Sequence, residues 1–400
     1  MMRKGIIILL HLFWICTCAC SANTDPMNPE LPKKPDPEVK EPVFSPLPVD
    51  GPYIFYCPDG RARVVSIAED GALLDETMQS LPPDYSFPII THDKKHKFHI
   101  KLHPIIRQEW KQEAAEKLLV ISDPHGNFDC FYSVLKANGV INDKYEWVYG
   151  KGHLMIIGDI FDRGNDVLPI FWLTYKLDKE ARDAGGAVHF LLGNHESMVL
   201  RGDLRYMTEK YVVLADRLEL DYPKLFGLDT ELGRWLSVAN AIQIIGSDLY
   251  VHAGLAKGFF DRNFSISYVN EVMSKGLFLD KEGRENLSKD SKYLYSSSST
   301  TGGPGILWYR GMVGYEKHEP LEMDILDLLL ERYHVNRIIV GHTIFDDITM
   351  FYDGKVIAVN VDNQKNFDNK KGRGLLIESG ATYMIDDYGE RQVISTITEE

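Results

Sequence analysis

Five short polar clusters, far apart in the chain, carry the residues best suited to chemistry. They are Asp123-Pro124-His125-Gly126-Asn127, Gly158-Asp159-Ile160-Phe161-Asp162-Arg163-Gly164, Gly193-Asn194-His195-Glu196, His252-Ala253-Gly254 and Gly341-His342-Thr343. An Asp and a His two positions apart offer a hard oxygen and a borderline nitrogen to a metal ion. Asp159 has two oxygens with which to bridge two ions, and Arg163 brings a planar fork suited to a phosphoryl group. The Asn194 carbonyl can ligate a cation without adding charge, and His195 could then face a substrate as proton donor. Each cluster also has an ordinary reading. Asp-Pro-His-Gly is turn chemistry, Asp159 could cap a helix beside an Arg163 surface ion pair, and a single His at a strand end is more often structural. Five clusters in series shift the balance, because the ordinary reading must explain each one separately.

Each cluster follows an apolar run, at residues 118–121, 154–157, 188–192, 249–251 and 337–340. Such runs read as strands buried on both faces. In layered α/β proteins ligands collect at the loops leaving the carboxyl ends of buried strands, so the five clusters are expected to share one site. Ahead of them, residues 53–115 hold short β-rich runs such as Tyr53-Ile54-Phe55-Tyr56 and Arg63-Val64-Val65-Ser66-Ile67, punctuated by Asp-Gly turns. This predicts a small β-rich N-terminal region before a catalytic domain over residues 116–400. Residues 256–303 interrupt the strand-and-cluster rhythm and are expected to form a helical or mobile cap, with the Ser/Thr/Gly run at 296–303 as plain flexible loop. The basic stretch Lys94-Lys95-His96-Lys97 reads as solvated surface rather than a phosphate site.

In order and spacing, the motifs Asp-x-His, Gly-Asp-x-x-Asp-Arg-Gly, Gly-Asn-His-Glu, His-Ala-Gly and Gly-His-Thr resemble the calcineurin-like metallophosphoesterase superfamily. Asp162-Arg163-Gly164, and the lack of a second His after Gly341-His342, resemble its phosphoprotein phosphatase branch. Gly193-Asn194-His195-Glu196-Ser197-Met198, Arg201-Gly202-Asp203-Leu204-Arg205-Tyr206, Leu307-Trp308-Tyr309-Arg310 and Asp50-Gly51-Pro52-Tyr53 are similar to the bacterial Shewanella-like phosphatases, from residue 50 to the end. The resemblance implies a four-layer α/β fold with two central mixed β-sheets flanked by helices, plus a small N-terminal β-rich extension. It implies that Asp123 and His125 hold one divalent ion, that Asp159 bridges, and that Asn194, His252 and His342 hold a second. His195 would be the general acid, oriented by Asp162. Arg163 would clamp the phosphate, with Arg310 as candidate second arginine.

The chemistry implied is hydrolysis of a phosphomonoester by water activated between two metal ions (Mn, Fe or Zn), without a covalent phosphoenzyme. The expected substrate is a phosphorylated protein or peptide. The alternatives are a small phosphorylated metabolite, nucleotide or dinucleoside polyphosphate, and, from another class, a catalytically silent surface binding protein. Two departures from the family pattern, Pro124 and Val359-Asn360-Val361-Asp362, bear on substrate details rather than on the metal site.

The net charge of −14 argues against a general nucleic-acid binder, which would hold phosphates with clustered Lys and Arg. An anionic substrate must be attracted locally. Residues 1–20 read as a signal peptide, with Arg3 and Lys4 ahead of an apolar run too short to span a bilayer. It ends in Cys18-Ala19-Cys20, which resembles a bacterial lipoprotein processing site. The expectation is lipid on Cys20, as the sole membrane contact, and a place in the cell envelope or periplasm. Ordinary cleavage near Ala19 would instead release a soluble protein. Residues 21–52, rich in Pro and charge, read as a tether reaching roughly 90–100 Å at about 3.1 Å per residue. Cys57 and Cys130 alone remain in the mature body and make no disulfide framework.

Overall fold

The computed structural model describes residues 46–298 and 302–396. The export segment, Cys20 and residues 21–45 of the tether lie outside those residues, as do residues 299–301 of the Ser/Thr run.

The N-terminal strands are β1 (Asp50–Tyr56), β2 (Ala62–Ile67), β3 (Leu73–Met78), β4 (Ser86–Ile90) and β5 (Lys97–Lys101). The first three form an antiparallel sheet and the last two a hairpin. Next come β6 (Lys111–Gln112), β7 (Lys117–Ile121), β8 (His153–Ile156), β9 (Ala187–Phe190), β10 (Ile242–Ile245), β11 (Asp248–Val251) and β12 (Arg337–Val340). The chain finishes through β13 (Thr349–Phe351), β14 (Val356–Ala358), β15 (Arg373–Glu378), β16 (Ala381–Asp386) and β17 (Arg391–Thr396). Two six-stranded mixed sheets result, ordered β17-β16-β15-β7-β8-β9 and β13-β14-β12-β11-β10-β6.

Side-chain alternation explains why the motif-bearing strands are apolar at nearly every position. Leu118, Val120 and Met155 from the first sheet, with Leu191 just beyond β9, meet Ile245, Tyr250, Ile339 and Ile357 from the second in one buried cluster. The intervening Leu119, Ile121, Leu154 and Ile156 belong to the cluster that includes the helices. A strand covered by a sheet on one side and helices on the other has no face left for polar residues. Arg337 ties the sheets together, forking onto Asp248 at 2.8 and 2.7 Å while donating to the Thr382 hydroxyl at 2.8 Å. The result is a four-layer α/β body.

The helices around the first sheet include α1 (Phe128–Ala137) and α2 (Val167–Asp183), and α2 packs on β9. After β9 come α3 (Asn194–Leu200), α4 (Glu209–Arg217) and α5 (Glu231–Leu236). The stretch expected as a cap contains α6 (Lys257–Asp261), α7 (Ile266–Gly276), α8 (Lys281–Glu285) and α9 (Lys289–Leu294). Its helical character holds, but a loose cap is not what the packing describes. Phe259, Val269, Met273 and Leu294 are fully buried in the main core. Asn270 fastens α7 to β10, accepting from the Ala241 and Ile242 amides at 2.7 and 2.9 Å and donating to the Ile242 carbonyl at 2.9 Å. The last helices are α10 (Met323–Tyr333) and α11 (Asn363–Asp368).

The fold starts earlier than the composition suggests, because β1 begins at Asp50, inside the span read as tether. Asp50 is buried and pairs with Lys210 of α4 at 2.7 Å, with the two side chains 0% and 2% exposed. Tyr53 donates to the other Asp50 oxygen, and Lys210 also reaches the Asn165 carbonyl at 2.7 Å. The N-terminal region also extends a large sheet, since β6 lies parallel to β10 at the edge of the second one. Removing one member of a buried ion pair leaves an uncompensated charge, so Lys210→Met is expected to cost about 3–5 kcal/mol. Urea denaturation checks this, and the Asp50→Asn/Lys210→Met double variant should recover much of the loss; unchanged stability of the single variant would contradict it.

The basic stretch at residues 94–97 is occupied locally. Lys95 pairs with Asp93, Lys97 with Glu69, and the His96 ring bonds Asp129 and Tyr145. Cys57 and Cys130 are free thiols. Among the described residues no helix is long and apolar enough to cross a membrane.

Candidate active site

β7, β8 and β9 run parallel to one another, as do β11, β12 and β14. Their carboxyl ends carry Asp123, Asp159, Asn194, His252 and His342, so all five motif loops open at the same place. The backbone there is unusual: Asp123, His125, Asp159, Asp162, Arg163 and His342 have φ of 51°, 44°, 57°, 70°, 66° and 62°. Non-glycine residues adopt this left-handed region at a cost, and it persists where surroundings over-determine it.

Those surroundings are specific. Glu196 is fully buried, and its carboxylate accepts from the Asp159, Ile160 and Gly193 amides at 2.8, 2.9 and 2.7 Å. Asn363, the first residue of α11, donates to the Ser122 and Asp123 carbonyls at 3.0 Å each. One Asp123 oxygen accepts from the Ser122 hydroxyl and, at 3.0 Å, from the His342 amide. Gly158, at φ 73°, leaves room where a Cβ would stand 2.7 Å from the Gly193 backbone and 2.9 Å from His252 Nδ1.

The imidazoles are oriented by their outer nitrogens. His125 Nδ1 donates to the Phe161 carbonyl at 2.8 Å and His252 Nδ1 to the Ile157 carbonyl at 2.9 Å. Each therefore turns Nε2 inward, which is how a histidine is prepared to ligate a metal. His252 Nε2 lies 2.9 Å from Asn194 Oδ1, 3.2 Å from His342 Nδ1 and 3.3 Å from Asp159 Oδ2. His125 Nε2 lies 3.8 Å from Asp159 Oδ2 and 3.9 Å from Asp123 Oδ1.

Lone-pair donors this close repel one another unless a cation or proton lies among them. The donor atoms of His125, Asp159 and His195 all fall within 4.8 Å of one another, as do those of Asp159, His252 and His342. Asp159 belongs to both groups. Mixed carboxylate, carboxamide and imidazole donors without thiolate suit divalent transition ions, so the residues present fit a metal centre. The first group contains His195, which the family pattern makes a proton donor, and not Asp123, whose second oxygen turns to Ser122 and His342.

Electrostatics agree. Burial pushes the Asp123 carboxyl up to about 7, with the Asp159 charge adding to it. Burial pushes His125 down to about 3, keeping it a neutral ligand. For His252 burial opposes charge, but Asp159 and Asp123 prevail and raise it to about 9, which marks a place where positive charge is wanted. His195 Nδ1 sits 2.6 Å from Asp162 Oδ2; burial lowers its proton affinity, while Asp159 and Asp162 outweigh that and raise it above the ordinary value.

Arg163 lines a cleft with Asp123 and His125, and Arg310 feels the charges of Asp123 and Asp159. Arg163 is exposed, and its guanidinium lies 5.8 Å from the Tyr206 ring. Arg310, half-buried, lies 5.0 Å from the Tyr315 ring, with its amide donating to His318 Nδ1 at 2.8 Å. Burial lowers the Arg310 pKa, while Tyr315, Asp123 and Asp159 act against that and Arg163 adds to it. A cleft lined by Asp123, His125, Arg163, Ile344, Asn360 and Asn363 opens on the Asp123 side.

Of the residues singled out in the sequence, Asp123, His125, Asp159, Asp162, Asn194, His195, His252 and His342 come together here with Arg163 on the adjoining cleft, while the Arg310 side chain packs by Tyr315. Glu196, Asn363, Ser122 and Tyr206 had no assigned role. The spacing of Gly193 and Glu196, that of a capping box, was the available signal for Glu196.

The four-layer α/β body with carboxylates and imidazoles gathered at its strand ends defines a metallophosphoesterase. The chain belongs to the calcineurin-like phosphoesterase family, whose model matches residues 116–345. It is 25% identical over 296 residues to Shewanella-like protein phosphatase 2 of Arabidopsis thaliana, covering 63% of this chain and 73% of that one. Shewanella-like protein phosphatase 1 of Plasmodium berghei is 25% identical over 236 residues, 57% of this chain and 61% of that one. The crystal structure of a cold-active protein-tyrosine phosphatase from a psychrophilic Shewanella species superposes with a TM-score of 0.76 at 31% identity, covering 87% of this chain and 99% of that one. The chain is a metal-dependent phosphoric ester hydrolase.

Proposed function

We propose that this chain is a dinuclear-metal phosphomonoesterase acting on phosphorylated proteins or peptides, phosphotyrosine among them. One observation carries the reading: Asp159 is common to both donor groups, and His195, bonded to Asp162, stands beside it. The names of the relatives, protein phosphatases and a protein-tyrosine phosphatase, support the substrate class.

In this reading Asp123 and His125 hold one divalent ion, Asp159 is shared, and Asn194, His252 and His342 hold the other. When bound, such ions supply Lewis acidity and lower the pKa of water toward neutrality. Arg163 and Arg310 bind the phosphoryl oxygens and offset the charge that develops on them in the transition state. His195 gives the proton on Nε2 to the departing oxygen, and Asp162 holds Nδ1 so that Nε2 points the right way. Steady-state turnover of phosphopeptides and of nucleotides, with and without chelator, tests the proposal. Metal-dependent turnover favouring phosphopeptides is expected; preference for nucleotides, or turnover indifferent to metal, would overturn it.

We further propose that the protein is exported and anchored by lipid on Cys20, which would set its substrates among exported phosphopeptides rather than cytosolic proteins. Cys20→Ser should move the protein from the membrane to the soluble fraction on cell fractionation. A wild-type chain already wholly soluble would contradict the anchor.

A further inference from the structure

We propose that Tyr206 is a specificity-determining residue whose ring forms the surface on which the leaving group of an aryl phosphate lies. The inference rests on the phosphomonoesterase reading above and adds a preference for aromatic over alkyl esters, located in one side chain.

Tyr206 lies in the loop between α3 and α4, and the loop is held firmly. The Asp203 amide donates to the Met198 carbonyl at 2.8 Å, and Asp203 accepts a fork from Arg205 at 2.9 and 2.6 Å. Leu204 and Met207 pack against the main core, while Tyr206 between them is turned outward, 46% exposed. Its ring faces two functional groups. The centroid is 5.3 Å from that of His195, tilted by 42°, and the Arg163 guanidinium lies 5.8 Å from it. The Arg163 amide donates to the Tyr206 carbonyl at 3.2 Å, so the loop and the arginine are positioned together.

An exposed aromatic ring anchored on both sides and set against a proton donor has a chemical consequence. The oxygen that takes the proton must come within about 2.6–3.2 Å of His195. In an aryl ester that oxygen is attached directly to a ring, which then falls beside the imidazole, within the separation at which aromatic rings pair. A serine ester offers one methylene there and no π face.

The test uses phosphotyrosine and phosphoserine versions of one peptide with wild type, Tyr206→Phe and Tyr206→Leu. In Tyr206→Leu the ratio of kcat/KM for phosphotyrosine to that for phosphoserine should fall about 3- to 10-fold, chiefly through KM, while Tyr206→Phe keeps it within about twofold. An unchanged ratio in Tyr206→Leu, or an equal fall in Tyr206→Phe, overturns the role of the ring and leaves the enzyme assignment standing. A wild-type enzyme, active on a metal-dependent test ester, that hydrolyses phosphoserine alone overturns the aryl preference. A wild type inactive on both peptides and on nitrophenyl phosphate overturns the phosphomonoesterase reading, and this inference with it.

Discussion

Asp159→Asn is expected to lose bound metal and turnover together, with activity falling by about 10³-fold or more. Asp159 Oδ2 is the oxygen around which the imidazoles gather, 3.3 Å from His252, 3.8 Å from His125 and 3.9 Å from His195. Its Oδ1 accepts from the His195 amide at 2.9 Å, a bond that an asparagine oxygen can keep. The substitution is therefore nearly isosteric and should fold, yet it removes the negative charge from the centre of the cluster. Elemental analysis beside nitrophenyl phosphate turnover checks this. An Asn variant with full metal content and near wild-type turnover would show that Asp159 is not the shared ligand.

His195→Ala should separate metal binding from catalysis. The imidazole is held by Asp162 at 2.6 Å and is expected to act on the leaving oxygen rather than to retain the ions. Loss of a general acid typically costs about 10²–10⁴-fold, and the cost is greatest where the leaving group most needs a proton. Turnover of alkyl phosphates such as a serine ester should collapse, while nitrophenyl phosphate, with its good leaving group, suffers least. A loss of the same size for every ester, or loss of metal in this variant, would instead make His195 a ligand, as its place in the first donor group allows.

The residues gathered at the strand ends were legible because each chemical cluster sits just after a doubly buried strand, so hydrophobic pattern and polar pattern reinforce each other. The strands after residue 340 were not. β13 and β14 are three residues each, β16 places half-exposed Tyr383 and Met384 between buried Thr382 and Ile385, and residues 391–395 of β17 are exposed or half-exposed, which blurs any apolar run. In the 359–362 stretch Asp362 caps α11 by accepting from the Lys365 amide at 3.1 Å, and Asn363 beside it clamps the Asp123 loop. That clamp spans 240 residues of sequence, beyond the reach of any local pattern. Glu196 was hidden for the opposite reason, since a buried carboxylate satisfied by backbone amides looks in sequence like any capping glutamate. The start of the fold at Asp50 was obscured by the prolines around it, because its cause is the distant Lys210.

Crystals of the purified chain, measured at the absorption edge of the metal it carries, give the most direct test of the central claim. Two anomalous peaks per chain are expected, one among Asp123, His125 and Asp159 and one among Asp159, Asn194, His252 and His342. A single peak not shared through Asp159, or metal bound only elsewhere on the protein, would contradict the account.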